Sequence, residues 1–204
     1  VVDFASETAS YPVLIALGCP VVAHGKRYNC AVVIAGGKIL GIVPKIHIPN
    51  YGEFYEKRWF ESGEGIKNDE ILFGGRRVPF GTDLLFEYKN AIIGVEICED
   101  LWVPNPPSTS LCEAGADVIL NLSASDELIG KHAYLRNLIS QQSARCRCGY
   151  VYSSAGWGES TTDLVFAGNA IIGEDGSITE PDLRFFTAPT LIKKDIDVEK
   201  LRND

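Results

Sequence analysis

Apolar positions fall in short, β-branched runs bounded by glycine and polar residues, which read as strands more than as helices. YPVLIALGCPVV (11–22) is one such run. RYNCAVVIAGGKILGIVPK (27–45) reads as two strands joined at Gly36-Gly37. DLLFEYKNAIIGVEIC (83–98) predicts a hairpin turning at Tyr88-Lys89-Asn90. ADVILNLSAS (116–125) and GYVYSSAG (149–156) predict strands that run into polar loops, and LVFAGNAIIGEDGSIT (164–179) two more strands. Helical periodicity is rarer. KHAYLRNLISQQSARC (131–146) places Leu135, Leu138, Ile139 and Cys146 on one stripe, interrupted by Gln142. SLCEAGA (110–116) predicts a short helix, and PNYGEFYEKRWF (49–60) a turn or short helix. Hairpins with few helices between them indicate a layered α/β protein with mixed sheets, and three strands end in polar loops, where open sheets gather their sites.

Composition narrows this picture. The 204 residues are 46% hydrophobic and 23% charged, without a linker or repeat, so one domain spanning 1–204 is expected. The net charge of −8 excludes a basic nucleic-acid face. No apolar run reaches the ~20 residues of a membrane helix, and VVDFASETAS lacks a signal-peptide layout, so a cytoplasmic protein with no membrane partner is expected. The cysteines, Cys19, Cys30, Cys98, Cys112, Cys146 and Cys148, form no C-x-x-C pair. Cys146-x-Cys148 is a weak metal signal, no metal site is expected, and a reducing compartment is the simplest reading. The sequence starts at Val1 and contains no Met, which fits an excised fragment or a sequence from which modified methionines are omitted.

The stretch GVEICEDLW (94–102) sets Cys98 among Glu96, Glu99 and Asp100. Strand alternation points Glu96 and Cys98 one way and Ile97 the other. The polar Glu99-Asp100 then ends the run, so Cys98 sits at a turn with backbone N–H groups free, as a nucleophile beside an oxyanion site would. On spacing alone a half-buried structural thiol is the better account of Cys98. A thiolate among carboxylates needs a cation, and His24, His47 and His132 carry no local signature of a base. Lys45 ends a strand after Pro44 and leads into a polar-aromatic segment, although by itself it reads as a surface lysine.

Taken together, Pro44-Lys45, Pro49-Asn50-Tyr51 and Glu56-x-Arg58-x-Phe60 resemble the nitrilase superfamily of carbon–nitrogen hydrolases. RYNCAVVI, GVEICEDLW, NLSASDELIGK and GESTTDLVF resemble, within it, the glutaminase domains of glutamine-dependent NAD synthetases. The resemblance runs from about residue 11 to 200. It implies an αββα sandwich with two mixed sheets, here lacking its N-terminal strand and helix. It also implies that Cys98 attacks the side-chain carboxamide of glutamine to form a thioester. Lys45 and the backbone N–H of Glu99 would stabilise the oxyanion, and Glu56 would hold Lys45. Tyr51, Ser125 and Lys131 would grip the amino-acid end of glutamine, with Trp102 walling the pocket. The family's third catalytic group is a glutamate well upstream of the lysine. The carboxylates before Lys45 are Asp3 and Glu7, in a context that resembles the following helix, so that base is expected to be missing and these 204 residues nearly inactive. The domain itself needs no cofactor. The resemblance implies ATP, Mg and deamido-NAD for a synthetase domain of the same parent chain, absent here, to which ammonia is channelled. It also implies a homo-oligomer. A stand-alone amidase or carbamoylase is one alternative, and a catalytically degenerate interaction domain another.

Overall fold

The computed structural model describes residues 1–159 and 164–203. Five strands form the first sheet: β1 (Leu14–Ala23), β2 (Lys26–Ala35), β3 (Lys38–Pro44), β4 (Asp69–Phe73) and β5 (Arg76–Phe80), in the order β1-β2-β3-β5-β4. β3 and β5 run parallel through Ile42 and Phe80, and the other pairs are antiparallel. Six strands form the second: β6 (Phe86–Tyr88), β7 (Ala91–Ile97), β8 (Val118–Ser123), β9 (Gly149–Ser154), β10 (Ala170–Glu174) and β11 (Ser177–Thr179). Here β7, β8 and β9 are parallel, flanked by antiparallel β6 on one side and the β10–β11 hairpin on the other. Both sheets are mixed, as the sequence predicts.

Local chemistry sets the hairpins. Gly36 and Gly37 both take positive φ (55° and 78°), and the β2–β3 hairpin closes there because a tight turn with that twist needs two left-handed residues. Strand alternation then splits β2 between two faces. Cys30, Val32 and Ile34 join Ala5 of helix α1 (Val2–Glu7) and Phe80 in an outer cluster. Ala31 and Val33 turn the other way, to meet Val95, Ile97 and Phe86 of the second sheet. The far face of the second sheet is covered by α2 (Pro107–Glu113) and α3 (Lys131–Cys146), whose Leu111, Leu135 and Ile139 pack on Ile119, Tyr150 and Ile171. The result is an αββα sandwich with a thin first layer. Each buried Val, Leu or Ile contributes roughly 1.5–3 kcal/mol to holding the layers together.

Several expectations change. The hairpin β4–β5 is not anticipated, because Pro79 and the charged residues 69–77 mask it. The helix expected at 110–116 instead begins at Pro107, where proline's fixed φ suits the first helical position. The N-terminal helix, expected to be lacking together with a strand, is present as the six-residue α1. Helix α4 (Val198–Asn203) is also unanticipated. Arg202 fastens it through two bonds to Asp117, at 2.8 and 2.6 Å. Gln142, which breaks the apolar stripe of α3, is buried and donates to Ser108 Oγ of α2 at 2.9 Å. Among the described residues no helix is long and apolar enough to cross a membrane, and all six cysteines are free thiols.

Candidate active site

The site forms where the C-terminal ends of β3 and β7, one from each sheet, come together. β3 ends at Pro44, and Lys45 follows it, its N–H donating to Asn29 O of β2 at 2.8 Å. The Lys45 side chain is 2% exposed, and Nζ donates to Glu56 Oε2 at 2.5 Å. The other oxygen of Glu56 accepts from Asn29 Nδ2 at 2.7 Å. A buried ammonium therefore sits in a fixed place against a carboxylate that a second donor restrains, and removing either partner would strand a charge.

β7 ends at Ile97, and Cys98 opens a single 3-10 turn, Cys98–Leu101. Cys98 has φ +52°, a left-handed conformation that costs a non-glycine residue of order 1 kcal/mol or more and persists only when its surroundings impose it. Two side chains do so. Asn121 Oδ1 on β8 accepts the Cys98 N–H at 3.3 Å, and Asp100 Oδ2 accepts the Ile97 N–H at 3.0 Å. Asp100 Oδ1 also accepts the His47 N–H at 2.8 Å, tying the turn to the segment after Lys45. Burial pushes the Asp100 carboxyl up to about 6, against the bonds from His47 and Ile97 and the charge of Lys45.

This backbone corrects the expected alternation. Glu96 faces the outer layer, bonded to Tyr150 and to the Ser108 N–H. The left-handed turn swings Cys98 away from Glu96 and into a cavity of about 620 Å³. That cavity is lined by Lys45, Glu56 and Asn29 from the first sheet's side and by Cys98, Ser123 and Ser154 from the second's. Lys45, Glu56 and Cys98 are thus gathered in one pocket. The Glu99 N–H lies in the first turn of the 3-10 segment, where opening donors have no intrahelical acceptor. A pocket with a thiol, an ammonium and a free backbone donor is equipped for acyl transfer at a carbonyl.

The remaining predicted residues stand around this cavity rather than in its wall. Tyr51 is 58% exposed and donates to Glu99 Oε1 at 2.8 Å. It lines a neighbouring polar pocket that shares Pro49 and Phe60 with the first. Ser125 is buried next to Ala124, which lines the cavity, and its N–H donates to Ser154 Oγ at 3.4 Å. Lys131 is paired with Asp126, and its ammonium lies 5.3 Å from the Trp102 ring and 5.8 Å from Phe54, a cavity-lining residue. Trp102 also stacks on Tyr134, 5.6 Å between centroids. Of GESTTDLVF, residues 160–163 lie outside the described residues.

Sequence reasoning passed over Asn29, Asn121, Asp126 and the anchoring role of Asp100. Asn29 and Asn121 carry a usable signal, an amide inside an apolar strand, where a buried polar group needs a partner. Among the described residues no group of His, Cys, Asp and Glu is arranged to hold a metal ion.

Comparison with known proteins agrees with this arrangement. A family model described as carbon-nitrogen hydrolase matches residues 3–203. The chain is 42% identical over 205 residues to the glutamine-dependent NAD(+) synthetase of Mycobacterium tuberculosis strain H37Rv, covering 99% of this chain and 30% of that protein. A crystal structure of the corresponding synthetase of Cytophaga hutchinsonii superposes with a TM-score of 0.79 at 31% identity, over 90% of this chain and 29% of that one. A carbon-nitrogen hydrolase of Helicobacter pylori G27 shares the fold, with a TM-score of 0.72 over 98% of this chain and 67% of that one, at 18% identity. The chain spans about 30% of the length of the curated synthetases it matches. A sandwich of two mixed sheets, a cysteine and a lysine brought to one cavity, and a family match over almost every residue place this chain in the carbon–nitrogen hydrolase family.

Proposed function

We propose that this domain hydrolyses the side-chain amide of glutamine and supplies the ammonia to a synthetase domain of the same parent chain. The observation that carries the reading is the shared cavity of Cys98 and Lys45 at the ends of strands from two sheets. The likeness to synthetases, across about 30% of their length, supports the choice of substrate.

In this reading the Cys98 sulfur attacks the carboxamide carbon. The carbonyl oxygen gains the electron pair and is held by the Lys45 ammonium and the Glu99 N–H. Collapse expels ammonia, which leaves with the proton released by the thiol, and a thioester remains. Water then cleaves the thioester to glutamate and restores the thiol. Glu56 keeps the Lys45 ammonium in place, and Tyr51, Ser125 and Lys131 recognise the amino-acid end. Lys131 and Tyr51 are bonded to Asp126 and Glu99, and these partners would be exchanged for, or shared with, the substrate's charged groups.

The scheme also needs a group that takes the thiol proton and returns it to the leaving ammonia. Asp3 and Glu7 do not fill that role, since α1 packs on the outer face of the first sheet and neither residue lines the cavity. Among the described residues Glu56 is the carboxylate that does line it, and Lys45 and Asn29 already occupy it. On this reading the 204 residues alone turn over slowly, and ATP, Mg and deamido-NAD serve the synthetase domain. The test is ammonia release from glutamine by the full-length parent protein, beside its Cys98→Ala variant. Equal release by both, or activity on simple amides exceeding that on glutamine, would overturn the reading.

A further inference from the structure

Glu96 is 1% exposed, an expensive place for a carboxyl group, and no step above uses it. One of its oxygens is accounted for by α2, because Oε2 accepts the Ser108 N–H at 2.7 Å. That bond alone would make Glu96 a cap. The other oxygen, Oε1, accepts from the hydroxyl of Tyr150, and Tyr150 Oη in turn accepts from Asn121 Nδ2 at 2.9 Å. Asn121 Oδ1 takes the Cys98 N–H at 3.3 Å and the Ser123 hydroxyl at 2.7 Å. An unbroken chain of buried hydrogen bonds therefore joins Glu96 to the backbone of the nucleophile.

We propose that Glu96 is a positioning residue which, through Tyr150 and Asn121, fixes the backbone of Cys98 in its left-handed turn. The proposal rests on the glutaminase reading of Cys98. Its logic is the order of the donors. A tyrosine hydroxyl has one proton, and donating it to Glu96 leaves its oxygen able only to accept. The group that meets it must then be the amide nitrogen of Asn121, which obliges Oδ1 to face Cys98. With the amide reversed, its NH₂ would oppose the Cys98 N–H, donor against donor, in a buried site. The acceptor oxygen Oε1 of Glu96 thus fixes the polarity of the chain, and the polarity holds a backbone that has no preference of its own for φ +52°.

Glutamine at position 96 would offer an NH₂ to Tyr150, reverse the hydroxyl and turn the Asn121 amide, whereas phenylalanine at position 150 would simply break the chain. The experiment measures glutamine hydrolysis by the full-length parent protein as wild type, Glu96→Gln, Tyr150→Phe and the double variant, each checked for cooperative unfolding. Each single variant is expected to lower kcat about tenfold, with KM within about twofold, as for a hydrogen bond lost in the transition state but not in ground-state binding. The double variant is expected to match the worse single variant within about threefold, since both act through one chain. Unchanged kcat in Tyr150→Phe, or two losses that multiply, would overturn the proposal. If wild type does not hydrolyse glutamine, the glutaminase reading fails instead. Alkylation of Cys98 by iodoacetamide, followed by peptide mass, then decides the positioning role: slower labelling in Tyr150→Phe supports it, and equal labelling refutes it.

Discussion

Asp100 and His47 are joined by a 2.8 Å bond from the His47 N–H to the Asp100 carboxylate, whose second oxygen holds the Ile97 N–H at 3.0 Å. One side chain therefore fixes the segment that follows the lysine to the turn that presents the cysteine. Asp100→Asn can offer its single oxygen to only one of these donors and turns its NH₂ toward the other. Stability is expected to fall by about 1–3 kcal/mol in urea unfolding, with turnover falling at least as steeply. Full turnover in a destabilised Asp100→Asn protein would show that the clamp serves folding alone.

The Lys45–Glu56 pair should behave asymmetrically. Lys45 is almost fully buried, so Lys45→Ala leaves Glu56 against an empty space and is expected to cost about 3–5 kcal/mol. On the proposed mechanism it also removes an oxyanion donor, and kcat is expected to fall by about 10²–10³. Glu56→Gln keeps an oxygen for the lysine and should be milder on both counts. Steady-state kinetics and denaturant titration of the two variants test that ordering.

The left-handed cysteine predicts a trade between stability and chemistry. Cys98→Gly loses activity but releases the turn from strain, and it is expected to be about 1 kcal/mol more stable than Cys98→Ala. Comparing two inactive variants isolates the backbone from the thiol. Equal stability would mean that the turn is not strained.

Stability should depend on pH through two buried acids. Burial pushes Glu96 from 4.5 up to about 7 and Asp100 from 3.8 up to about 6. Between the ordinary and the raised values the folded chain keeps protons that the unfolded chain has lost. Their contribution is therefore full below the ordinary carboxylate range and lost as the pH rises through 6 to 7. Asp69 and Glu174 are held low by His24 and Lys194, and their contribution is lost as pH falls. The window from about pH 4.5 to 7 isolates the buried acids. Wild type is expected to weaken across it, and Glu96→Gln to weaken less; parallel curves would contradict the assignment.

The sandwich was legible because β2, β3, β7 and β8 are each short apolar, β-branched runs bounded by glycine or polar turns, and α3 carries a helical stripe. The hairpin β4–β5 was not, since its strands are short, charged and interrupted by Pro79. Cys98, Lys45 and Glu56 were readable as a group only through the motif they resemble, and the structure brings all three to one cavity. The facing of Cys98 was misread because alternation assumes extended backbone, and a single positive φ breaks it. Tyr51 and Lys131 were read as substrate contacts, and the carboxylates that each of them holds, Glu99 and Asp126, were not foreseen. Such pairings join residues far apart in sequence, and local pattern does not reveal them.

The Cys98 thiol rides on one sheet and the Lys45 ammonium on the other, so the distance between them is a property of the seam between the sheets. Gly41 shows how thin that seam is: a methyl group there would sit 2.8 Å from Phe86 and 2.9 Å from Leu84. Ala31, Val33 and Val95 act as shims in the same gap. A substitution among them that adds or removes one methyl would shift the thiol relative to the ammonium without touching either. Variation in these plain apolar positions should therefore register first as altered turnover and only afterwards as altered melting.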